Sequence, residues 1–123
     1  MQWTDIIHFW FEECKPSQWF LKDESFDALV RDRFLLAYEE ASSGMTSSWR
    51  SSPEGRLAEI LLLDQFSRNM FRGPPKAFAT DDLALALAKD AVQAGDDIKT
   101  PLHMRLFIYM PFMHSESKED NEK

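Results

Sequence analysis

Cysteine occurs once in the 123 residues, at Cys14. A single thiol excludes an intramolecular disulfide framework and a multi-cysteine zinc site, and it points to a reducing, cytoplasmic setting. Basic residues are scarce relative to acidic ones, 14 against 21, for a net charge of −7. That balance argues against a protein whose affinity comes from neutralising nucleic-acid phosphates. No apolar run approaches the roughly 18 residues of a membrane-spanning helix, and Asp5 stands where a secretory signal would be basic, so neither membrane insertion nor export is expected. Also missing are a G-x-S-x-G nucleophile turn, a phosphate-binding glycine loop and the paired Glu-x-x-His segments of di-iron bundles. No cofactor is indicated. Alternating polar and apolar runs joined by Asn-Gly or Asp-Gly turns are absent as well, which argues against a sheet.

What is present is helical. Apolar residues make up 44% of the chain, enough for one compact domain. Trp3, Ile6, Ile7, Trp10 and Cys14 form the stripe of an amphipathic helix, with Thr4 as its N-cap and Pro16 as its stop. Trp19 and Phe20 fall in a polar loop that has to fold back over the core. From Ser25, the positions Phe26, Leu29, Val30, Phe34, Ala37, Tyr38 and Ala41 predict a longer helix ended by Gly44. Ser52-Pro53-Glu54 opens a third, in which Leu57, Ala58, Ile60, Leu61, Leu62, Leu63 and Phe66 surround the axis. That pattern predicts a helix enclosed by its neighbours.

Gly73-Pro74-Pro75 breaks the chain. Thr80-Asp81-Asp82 then caps a fourth helix carrying Leu83, Leu87, Ala91 and Ala94. Thr100-Pro101 opens a fifth, with Leu102, Leu106, Ile108 and Tyr109, which Pro111 closes. Residues 115–123 carry no apolar side chain and are expected to form a mobile polar tail after a single domain spanning 1–114. The expected fold class is all-α, built from antiparallel helix pairs.

Charge is uneven along the chain. Residues 1–48 sum to −5, 49–76 to +2 and 77–123 to −4. The basic middle holds the most apolar helix, yet Asp64 and Arg68 fall on that helix's Leu57, Ile60 and Leu61 stripe, where burial is expected. Gln65 and Asn69 form a second pair four residues apart beside them, and Arg72 follows. One reading is structural: Asp64 and Arg68 pair with each other while Gln65 and Asn69 satisfy backbone groups at a helix end. Another is a pocket for an anion or carboxylate, with Arg68 and Arg72 as planar donor forks and Asp64 orienting one of them. A third places the arginines at a protein interface beside Phe71 and Phe78.

The remaining candidates carry weaker signals. His8 and Glu12 have a spacing that permits two metal ligands, but an exposed helix pair explains it equally well, and no metal site is assigned. His114, in His114-Ser115-Glu116, reads as part of a helix entry capped by Ser115; an acid or base role needs a partner supplied by the fold. Cys14 lies on an apolar stripe and reads as a buried, inert thiol.

Several blocks taken together carry a resemblance. Phe9-Trp10-Phe11, Trp19-Phe20 with Asp23 and Phe26-Asp27, the run from Leu62 through Asp64-Gln65-Phe66-Ser67-Arg68-Asn69 to Gly73, and Tyr109-Met110-Pro111-Phe112-Met113-His114-Ser115-Glu116 occur in order over residues 3–116. The chain resembles the bacterial domain-of-unknown-function family 924. The resemblance implies an all-α superhelix related to tetratricopeptide-type helix pairs and brings no established reaction. It also implies further C-terminal helices that this chain does not show, so apolar surface on the fourth and fifth helices is expected to be uncovered and to favour a homo-oligomer.

Two functions follow as expectations. In the first, a helical-repeat-like binding or scaffold module holds an acidic peptide or protein partner on a concave face. In the second, a small anionic metabolite is bound or turned over by Asp64, Arg68 and Arg72 with His114 and Glu116. Trp49, Gln65 and Asn69 complete the candidate site. A closed pocket lined by Trp49, Gln65, Arg68 and His114 favours the second function, and an open groove the first.

Overall fold

The computed structural model describes residues 1–72 and 75–122, with 116–122 described by their backbone alone. Helix α1 (Trp3–His8) runs directly into a π-helical turn, Phe9–Glu13. Its N-cap is Gln2, not Thr4. The Gln2 N–H donates to Asp5 Oδ2 at 2.9 Å, so the carboxylate three residues on satisfies an orphan donor and sets negative charge at the positive helix end. Helix α2 (Glu24–Ser42) is capped by Asp23, whose Oδ1 accepts from the N–H groups of Ser25 and Phe26. It gives way to Gly44, which takes the left-handed φ of +84°.

Ser52 and Pro53 open α3 as the sequence predicts, with Ser52 Oγ accepting from the Gly55 N–H at 3.1 Å. Helix α3 (Pro53–Ile60) continues without a break through a π-helical segment, Leu61–Phe66, into α4 (Ser67–Met70). Gly55 is required here by close approach rather than by φ. A Cβ at this position would come within 1.9 Å of the Trp49 carbonyl, where the 3-10 segment Ser47–Ser51 crosses the helix.

The continuous helix 53–70 is the centre of the molecule. Leu57, Ala58, Ile60, Leu61, Leu62, Leu63, Phe66 and Met70 are all fully buried. Helix α1 packs on α3, and α2 packs on α4 and the π-helical segment. On the other side lie α5 (Asp81–Gln93) and α7 (Leu102–Glu122), joined through the one-turn α6 (Asp96–Lys99). Aromatic rings knit these layers together. Phe66 lies 5.1 Å from Trp10 and 5.2 Å from Phe34, and Phe107 lies 5.0 Å from Trp19, as ring centroids. Trp19 is folded back as expected, its Nε1–H donating to the Trp10 carbonyl, whereas Phe20 stays exposed. Burial pushes the Cys14 thiol up to about 11, the behaviour of a packed, unreactive thiol.

Helix α7 departs most from its sequence reading. Pro111 does not close it, Ser115 is not a cap, and the backbone stays helical through 115–122, where the polar composition argues against a helix. An interior proline costs about 3 kcal/mol through its missing N–H and its clash with the preceding turn. Burial of Phe107, Ile108 and Pro111 against the core offsets that cost. Beyond Pro111, adding residues to an existing helix needs no new nucleus, so polar residues continue it. Of the apolar residues assigned to its buried face, only Ile108 is buried. Leu102, Leu106, Tyr109 and Met113 are exposed, because this helix is apolar on two sides and periodicity alone does not choose between them. Leu29 of α2 is exposed for the same reason.

Among the described residues there is no strand, and no helix is long and apolar enough to cross a membrane. The enclosed centre generates a direct test. Leu61→Ala is expected to cost about 2 to 5 kcal/mol in a denaturant titration, and a loss below about 1 kcal/mol would contradict its place in the core.

Candidate functional site

The polar cluster grows from the π-helical segment. A π turn displaces carbonyls from the regular helix ladder, and such turns are frequent at functional sites. Here the displaced groups find side-chain donors. The Leu63 carbonyl accepts from Thr80 Oγ1 at 2.7 Å, and the Asp64 carbonyl accepts from Arg68 Nη1 at 2.8 Å. The buried hydroxyl of Ser67 lies within reach of both carbonyls and of Ala77 O. Thr80, read as a side-chain N-cap for α5, thus spends its hydroxyl on the central helix.

Asp64 projects inward from this segment with 2% of its side chain exposed. A buried carboxylate has to be paired. Its Oδ1 accepts from Arg68 Nη1 at 3.3 Å and from His114 Nδ1 at 2.8 Å. The first contact follows from the four-residue spacing; the second is made by the fold, since α7 packs on the π-helical segment and carries His114 there one turn beyond Pro111. Two acceptors cannot bond each other, so His114 Nδ1 carries a proton, and in the neutral imidazole Nε2 is left as an acceptor. Arg68 makes its better bonds elsewhere, to Asp81 at 2.9 and 3.0 Å, with its guanidinium over the Phe78 ring. Asp81 is placed for this in the first turn of α5.

Gln65 and Asn69 extend the cluster along the same helix. Gln65 Nε2 donates to the Trp19 carbonyl at 3.1 Å, and Asn69 Nδ2 donates to Asp27 Oδ1 at 2.9 Å. Arg72 spans the surface to Asp27, donating from Nε at 2.8 Å, and reaches the Leu21 carbonyl. Gln65, Arg68, Asn69, Arg72 and His114 line one cavity of about 170 Å3, together with Trp19, Phe20 and Met110.

The structure therefore brings together six of the eight residues singled out from the sequence, counting Asp64 beneath the cavity through its bond to His114. Trp49 is not among them. It sits half-buried on the 3-10 segment before α3 and packs on the core. The Glu116 side chain lies outside the described residues. Sequence reasoning misses Asp27, Asp81, Trp19, Phe20 and Met110 as site residues, although all but Asp81 lie inside the blocks that carry the family resemblance.

It also misses a second buried carboxylate, Glu59, which is fully enclosed and held by Arg50 at 3.0 and 3.1 Å and by Thr46 Oγ1 at 2.9 Å. The anion-clamp reading loses its charge in this geometry, because each arginine already faces an aspartate. His8 approaches Glu13 rather than Glu12, at 3.9 Å. Among the described residues no three His, Cys, Asp or Glu side chains are grouped to hold a metal ion.

Residues 6–123 match the family described as bacterial protein of unknown function, DUF924. The chain belongs to this family. A solved structure of a protein of unknown function from Agrobacterium tumefaciens is 41% identical and superposes with a TM-score of 0.87 over 91% of this chain. The match covers 63% of that longer protein. No curated protein matches the chain. Membership and likeness agree on an all-α fold in a bacterial family.

The pairing pattern predicts unequal costs. Asp64→Ala and Arg68→Ala are each expected to destabilise by about 3 to 5 kcal/mol, the first by removing the buried carboxylate that joins Arg68 and His114, the second by stripping Asp64 and Asp81 of their shared partner. Arg72→Ala is expected to cost about 1 kcal/mol or less, since its pair with Asp27 is partly in solvent. Denaturant titration of the three variants checks this, and equal losses at Arg68 and Arg72 would contradict it.

Proposed function

We propose that the chain binds a compact polar molecule in the cavity beside Asp64 and His114, where His114 Nε2 accepts a hydrogen bond or a proton from it. The observation that carries this reading is the 2.8 Å contact between His114 Nδ1 and the buried Asp64 carboxylate at the cavity wall. A carboxylate behind an imidazole sets its tautomer, fixes its ring and makes its outer nitrogen a better acceptor. The cavity volume of about 170 Å3 also suits a small molecule better than a peptide, since sites for drug-sized ligands begin at roughly 300 Å3. Gln65, Asn69 and His114 lie together around this partly open cavity, and its small volume favours the small-molecule expectation over the peptide-binding superhelix. The aspartates opposite Arg68 and Arg72 remove its restriction to anions.

A thermal-shift screen of compact metabolites bearing hydroxyl, amino or carboxyl groups tests the reading. A ligand present at about 100 times its Kd is expected to add about 2.7 kcal/mol of stability. In His114→Ala that gain is expected to fall substantially. Stabilisation that is the same with and without the His114 ring, or no stabilising compound at all, would overturn the proposal.

A further inference from the structure

The outer face of α7 carries an apolar stripe left open among the described residues. Leu102 is 76% exposed, and Leu106, Tyr109 and Met113 follow at 36 to 42%. At about 100° per residue these four positions share one line along the helix, opposite the buried side formed by Phe107, Ile108 and Pro111. The neighbouring turn, α6, adds Ile98 at 77% exposure. Tyr109 brings no orphan polar group to this face, since its hydroxyl donates to Asp97 Oδ2 at 2.6 Å. Met110 and His114 leave the helix to one side of the stripe, where they line the cavity, so the stripe is a separate surface.

The pattern of the stripe fits a second copy of itself. Its members are spaced by four, three and four residues, an order that reads the same from either end. Two α7 helices packed antiparallel about a two-fold axis therefore set Leu102 of one copy against Met113 of the other, and Leu106 against Tyr109, so that every apolar position meets an apolar position. Charge sets the direction. Residues 99–114 contain Lys99 and Arg105 and no acid, whereas residues 115–122 contain four acids and one lysine. Parallel helices would run like charge beside like charge, and antiparallel helices run the basic stretch of one copy beside the acidic stretch of the other. The exposed stripe with Ile98 and its flanks removes about 1,000 Å2 from water when two copies meet, which reaches the lower bound of a specific interface.

We propose that the outer face of α7 is a homodimerisation surface, on which a second copy of this chain docks antiparallel through Leu102, Leu106, Tyr109 and Met113. The surface does not depend on what the cavity binds.

Sedimentation of the unaltered protein over a range of concentrations is expected to show a monomer–dimer equilibrium. Leu106→Lys replaces a solvent-facing side chain, so it is expected to keep its helicity by circular dichroism while weakening the dimer at least about tenfold. Direction is read by thiol cross-linking. With a short bis-maleimide, a mixture of Leu102→Cys and Met113→Cys is expected to give a covalent dimer, and neither variant alone is expected to do so. Cys14 is buried and stays out of the reaction.

A protein that remains monomeric at high micromolar concentration overturns the proposal and leaves the face to a partner of another kind. A dimer indifferent to Leu106→Lys overturns it too, as does cross-linking of Leu102→Cys to itself or the lack of any cross-link in the mixture.

Discussion

A carboxylate with 2% of its side chain exposed, set in the most apolar helix of the molecule, constrains everything around it. Desolvating Asp64 alone would cost several kcal/mol, so partners have to be delivered to it from outside its own helix turn. Arg68 arrives by spacing, but its guanidinium is shared with Asp81, which ties the first turn of α5 to the central helix. His114 arrives from α7 and ties the last helix to the same point. Three segments distant in sequence are thus located by one buried oxygen pair.

The backbone bears the cost of that arrangement in two places. The central helix widens to a π turn across Leu61–Phe66, and the carbonyls it displaces are satisfied by Ser67, Thr80 and Arg68 rather than by the helix itself. Helix α7 carries Pro111 in its interior one turn before His114. Each is a local departure from the most stable choice, and both fall beside the same aspartate. Sequences break local rules where a site has to be built, and the coincidence of the two departures with the His114–Asp64 contact supports the functional reading.

Much of this is legible in the order of the residues. The enclosed helix shows in the unbroken circumference of Leu57 to Phe66, and its start in Ser52-Pro53. The charged pair shows in Asp64 and Arg68 on an apolar stripe, with Gln65 and Asn69 alongside. What stays hidden depends on tertiary approach. Nothing in the spacing of His114 reveals that α7 passes through Pro111, and a proline rule applied alone ends the helix too early. Asp81 reads as an N-terminal helix acid because that is its local role; its second role as the bidentate partner of Arg68 exists only once α5 lies across the central helix. Trp49 is drawn into the candidate site by its place in the basic segment, yet its role is to cross Gly55. Glu59 escapes notice because an acid among leucines looks like a solvent-facing position until Arg50 and Thr46 fold over it.

The central claim is that Asp64 holds His114 in the tautomer protonated at Nδ1, with Nε2 facing the cavity as an acceptor. Long-range nitrogen–proton correlation spectra of the His114 ring test this most directly. The account requires a protonated Nδ1 and an unprotonated Nε2 in the folded protein, with that preference lost in Asp64→Asn. A His114 ring protonated at Nε2, or one whose tautomer is indifferent to Asp64, would contradict it.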